Sequence, residues 1–71
     1  MKNNFAKRLK ELRLNRKLTK TKLAKEIGVS INSIRIWENG VRLPKVSNII
    51  ALSDYFNCRL NYLAGRDDII N

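Results

Sequence analysis

Residues 19–40 read Thr-Lys-Thr-Lys-Leu-Ala-Lys-Glu-Ile-Gly-Val-Ser-Ile-Asn-Ser-Ile-Arg-Ile-Trp-Glu-Asn-Gly. This stretch predicts two short helices and a tight joint between them. Thr19 is a good N-cap, and Leu23, Ala24 and Ile27 recur at helical spacing to give one apolar face. Gly28 ends that helix, because it accepts the left-handed conformation at the residue after the last turn. Ser30 then caps a second helix, running from Ile31 to about Glu38 and stopping at Asn39-Gly40. A joint of only Gly28-Val29-Ser30 sets the two helices roughly perpendicular, with Val29 pointing into the angle.

Ile34 and Trp37, three apart, hold the second helix to a core. Ile31, Asn32, Ser33, Arg35 and Ile36 are left for its outer side and open end. Asn and Arg at such positions can make bidentate contacts with adenine and guanine edges in the major groove of DNA. The N-terminus of a helix also favours phosphate. The same spacing fits an ordinary helical hairpin with Asn32 and Arg35 solvated, so the rest of the chain has to decide.

Outward from this pair the pattern stays helical. Phe5, Leu9 and Leu12 form one stripe of a helix from about Asn4 to Asn15, with Asn3 or Asn4 as cap. After the loop Val41-Arg42-Leu43, Pro44 sits where helices often begin. Val46, Ile49, Leu52, Ser53 and Phe56 give a fourth helix its inner face. A fifth runs from about Leu60 to Ala64 and ends at Gly65. The expected class is all-α: a compact five-helix domain over residues 1–65, with a loose tail at 66–71. Each helix is too short to be stable alone, so all must share one core. Its candidates are Phe5, Leu9, Leu12, Leu23, Ala24, Ile27, Val29, Ile34, Trp37, Ile49, Leu52, Phe56, Cys58 and Leu63.

Composition removes several functions. The 71 residues contain no His and one Cys. Imidazole-based catalysis, a Cys/His metal site and a disulfide scaffold are therefore excluded, and no paired carboxylates suggest acid–base chemistry. No enzyme activity, cofactor or metal is expected. No apolar run approaches the ~20 residues of a membrane span, and the N-terminus lacks the apolar stretch of a signal peptide. The expected location is the cytoplasm, where a lone thiol stays reduced. The net charge is +9, and all of it falls in residues 1–25, which hold ten basic groups and one acid, Glu11. Such asymmetry points to a polyanionic partner, and with it the hairpin reads as a DNA-binding element. Trp37 belongs to the core rather than to a base-stacking platform, Cys58 is apolar filler, and the Lys17-Lys20-Lys22-Lys25 stripe is no membrane surface.

Leu18-Thr19, Leu23-Ala24, Ile27-Gly28-Val29-Ser30, Ile34, Trp37-Glu38-Asn39-Gly40, Pro44, Ile49, Leu52 and Phe56 together resemble the phage repressor/Cro type of helix-turn-helix domain, the xenobiotic-response-element family. The resemblance covers about residues 5–64. It implies a five-helix domain that binds operator DNA as a dimer and regulates transcription. Carried over by position, it implies base contacts from Ile31, Asn32 and Arg35, with Ser33 and Ile36, and phosphate contacts from Lys20, Asn39, Arg42 and Lys45. It also implies a structural pair between Glu38 and Arg13. Three departures stand out. Lys20 replaces a common Gln, which adds charge attraction and loses the amide's bidentate geometry. Ile31 replaces a polar residue, leaving it a thymine methyl or nothing to touch. Arg59 stands where a Ser or Asp cap usually opens the fifth helix.

One such helix reads only about four or five base pairs, too few for a specific address. The expected function is thus a sequence-specific regulator, a repressor on a palindromic double-stranded operator. Leu60 and Tyr62, flanking the inner Leu63, would pair two copies into a homodimer that is weak in solution and favoured on DNA. The alternative is an antitoxin or restriction-system controller whose DNA binding is coupled to a protein partner.

Overall fold

Thr19 Oγ1 accepts the amide of Lys22 at 3.0 Å, and Ser30 Oγ accepts that of Ser33 at 3.1 Å, so both expected caps open their helices. The computed structural model describes residues 4–64. Five helices are found among the described residues: α1 (Asn4–Asn15), α2 (Lys20–Ile27), α3 (Ile31–Glu38), α4 (Val46–Phe56) and α5 (Leu60–Leu63). Asn4 is the first residue of α1, so it does not cap it. Asn3, Gly65 and the expected tail at 66–71 lie outside the described residues.

The first four helices end alike. At each C-terminus one residue turns left-handed: Lys17 (φ 56°), Gly28 (φ 83°), Gly40 (φ 74°) and Asn57 (φ 53°). The following amide reaches back five residues, as Leu18 N–H to Arg13 O at 3.1 Å, Val29 to Ala24 at 3.0 Å, Val41 to Ile36 at 3.1 Å and Cys58 to Ser53 at 3.0 Å. This satisfies carbonyls that a helix end otherwise leaves unpaired, and it turns the chain sharply toward the next helix. Gly and Asn suit the conformation; Lys17 does not, which is why α1's end shows only as a broken period in the sequence.

Phe5, Leu9, Leu23, Ala24, Ile34, Trp37, Leu52, Phe56 and Leu63 form one continuous core drawn from all five helices. Leu12, Ile27, Val29, Ile49 and Cys58 pack at its margin, half-buried. Two expectations for α4 need correction. The helix begins at Val46, with Lys45 in extended conformation as its cap residue, so Pro44 lies just before the cap rather than in the first turn. Val46 itself is 68% exposed and not part of the inner face. It is the first helical residue, and the open end of α4 extends beyond the core that Ile49 only half enters.

Candidate nucleic-acid interface

The orientation of α3 follows from what its two sides can do. Ile34 is fully buried and Trp37 is 5% exposed, so the helix is pinned along that edge and Trp37 is a core residue. The opposite strip carries Asn32, Arg35 and, just past the helix end, Asn39, all exposed. Their spacing of three and four residues keeps them on one face. Ser33 is half-buried, and its hydroxyl lies 3.1 Å from that of Ser30. Ile31 and Ile36 are half-buried and pack against the core margin. The five residues expected at bases are therefore not equivalent: Asn32 and Arg35 project, Ser33 belongs to the cap, and the two isoleucines flank the strip.

α3 is also held end-on. Glu38, in its last turn, accepts two hydrogen bonds from Arg13 of α1: from Nε at 2.7 Å and from Nη2 at 3.0 Å. Arg13 Nη1 donates to Leu18 O at 2.8 Å, in the turn that leads into α2. The two side chains are 8% and 2% exposed, so this is a buried pair with its donors and acceptors satisfied. One arginine thus ties α1, the α1–α2 turn and the far end of α3 together.

The residues expected at phosphates lie before and after α3 in the chain. Lys20 opens α2 and is half-buried, while Asn39, Arg42 and Lys45 follow α3 in order and are exposed. The helices α1 to α4 carry no acid in their first turns, so their partially positive N-termini are not neutralised from within. Glu26, the acid on α2, is engaged by Lys22 at 3.1 Å across one turn. Glu38 is consumed by Arg13. The acids nearest the exposed strip in the chain are thus both bound internally, which leaves the surface potential there to the cations.

Leu60 and Tyr62 are placed differently from one another. Leu60 is 42% exposed. Tyr62 is half-buried, and the Arg8 guanidinium lies over its ring at 4.4 Å. Arg8 Nη1 also donates to Tyr62 O at 2.6 Å. A second arginine, Arg16, sits over the rings of Tyr55 and Phe56 at 5.5 and 5.2 Å and donates to Tyr55 O at 3.0 Å. Neither contact has a sequence signal, because the partners lie 54 and 39 positions apart. Burial pushes the Cys58 thiol above its ordinary value, and the nearby Arg16 partly opposes this. Among the described residues no cluster of His, Cys, Asp and Glu can hold a metal, and no helix is long and apolar enough to cross a membrane.

A helix-turn-helix family model matches residues 9–63, most of the chain, and the chain belongs to that family. It is 29% identical over 66 residues, 93% of its length, to the HTH-type transcriptional regulator ImmR of Bacillus subtilis. It is 33% identical over 48 residues, 68% of its length, to the cryptic phage CTXphi transcriptional repressor RstR of Vibrio cholerae. The chain spans 52% and 43% of those two relatives. Among solved structures it is similar to the P22 c2 repressor, crystallised with a synthetic operator. The TM-score is 0.83 at 32% identity, covering 89% of this chain and 96% of that one. The all-α, repressor-type fold expected from the sequence is therefore the fold observed.

Proposed function

We propose that this chain is a sequence-specific double-stranded DNA-binding regulator of transcription, a repressor that acts in the cytoplasm on a palindromic operator. α3 enters the major groove, whose width admits one α-helix. Asn32 and Arg35 read base edges, with Ser33, Ile31 and Ile36 at the sides of the contact. Lys20, Asn39, Arg42 and Lys45 hold phosphates and set the register. The observation that carries this reading is the exposed Asn32–Arg35 strip on a helix fixed from behind by Ile34, Trp37 and the Arg13–Glu38 pair. A helix so held presents its side chains in one orientation, which base recognition requires. The likeness to the P22 c2 repressor, crystallised in complex with a synthetic operator, supports operator binding. The binding unit is residues 1–65, and it works as a homodimer paired through Leu60 and Tyr62. The function is binding and needs no catalytic group or cofactor.

Selection of bound duplexes from a random pool tests this. The expected result is enrichment of an inverted repeat whose half-sites lie about one helical turn apart. A pool that stays random after repeated rounds would overturn the reading.

A further inference from the structure

α5 has four residues, and the residue at its N-cap, Arg59, makes no side-chain cap hydrogen bond. So short a helix has no stability of its own. The fully buried Leu63 and the contact from Arg8 both tie it to the body. Arg8 lies on α1 between Phe5 and Leu9, both fully buried, so its backbone belongs to the rigid part of the fold. Its guanidinium covers the Tyr62 ring and donates to a carbonyl in the last turn of α5, where a helix favours a cation. Five residues further along the same helix, Arg13 holds the end of α3. α1 therefore connects the face that reads DNA to the helix that bears Leu60, with one arginine at each joint.

We infer that Arg8 is a positioning residue for pairing: it locks α5 against α1 and so sets the distance between the recognition helices of two copies. The inference rests on the reading that two copies pair through α5. Arg8 acts through Tyr62. Loss of the contact removes the side-chain tie between α5 and α1 and loosens α5 relative to α1, so paired copies demand one half-site spacing less strictly.

The test compares an isolated half-site with palindromes at the best spacing and one base pair closer or farther. Arg8→Ala is expected to bind the half-site as tightly as the parent and the best palindrome about tenfold more weakly, within the usual range for coupling between sites. Its preference among spacings should flatten. Arg8→Met keeps an apolar stem over the ring without the donor, and it serves if the alanine variant loses helicity by circular dichroism. Arg8→Lys, which keeps charge and a donor, should restore part of the spacing preference. Parental spacing preference in the Ala or Met variant overturns the inference, as does an equal loss on half-site and palindrome. If the parent itself gains nothing from a second half-site, the failure is of pairing through α5, and the inference falls with it.

Discussion

Arg13 and Glu38 meet through two hydrogen bonds, at 2.7 and 3.0 Å, across 25 positions of sequence. The pair is nearly dry. Charges taken out of water at this depth are tolerated only as partners, so neither residue can be removed alone without leaving the other buried and unpaired.

Glu38→Ala is accordingly expected to destabilise the domain by about 3–5 kcal/mol, comparable to the whole stability of so small a fold. The double variant Arg13→Met/Glu38→Leu should recover much of that loss, since apolar side chains of similar volume carry no desolvation cost. Urea unfolding followed by circular dichroism measures both. A double variant no better than Glu38→Ala would mean that the loss is not one of unpaired charge.

Trp37→Ala removes the side chain that seats α3 on the core. It should cost about 3–5 kcal/mol and leave the chain largely unfolded at 37 °C. A variant that keeps its helicity and loses only DNA affinity would place Trp37 on the recognition surface instead.

Lys17→Gly should stabilise the domain. Lys17 is exposed and holds a left-handed backbone at φ 56° to close α1. An L side chain pays about 1–2 kcal/mol there, and Gly loses about 0.5–1 kcal/mol in unfolded-chain entropy, for a net gain of up to about 1.5 kcal/mol. A thermal melt reads the difference; a lower midpoint would show that the Lys17 side chain contributes more than its backbone costs.

Cys58 should behave as a protected thiol. Burial raises it above the ordinary 9.0, so the folded chain holds its proton more tightly than the unfolded one. Stability is unaffected below the ordinary thiol range and falls as pH rises from there through the folded value. Iodoacetamide at pH 8 should alkylate native Cys58 more slowly than the urea-unfolded chain. Equal rates would mean that the thiol is not shielded.

Much of this molecule is legible in its residues because local chemistry and packing agree. Thr19 and Ser30 cap, Gly28 and Gly40 turn, and Ile34 and Trp37 bury the edge that their spacing assigns. At the start of α4 two rules compete: Pro44 favours a first helical turn, but the chain stays extended through Lys45, and Val46 therefore starts the helix outside the core. Ile31 and Ile36 show the limit of one-dimensional faces on an eight-residue helix, whose sides are close enough that neighbours of the exposed Asn32–Arg35 strip still touch the core. The contacts of Arg8 and Arg16 depend on the path of the chain as a whole. No spacing in the sequence announces a guanidinium over a ring 54 positions away.

In the proposed function, the Asn32–Arg35 strip reads sequence while Lys20, Arg42 and Lys45 only hold the backbone. Binding of variants to the selected operator and to an unrelated duplex, across a series of salt concentrations, tests it most directly. Asn32→Ala and Arg35→Ala are expected to lose about 1–3 kcal/mol on the operator, and to relax preference at one or two base positions. Lys20→Ala, Arg42→Ala and Lys45→Ala should weaken binding to both duplexes alike and reduce the salt slope by about one each. If Asn32→Ala and Arg35→Ala weaken both duplexes equally and leave base preference intact, α3 does not read DNA through this strip.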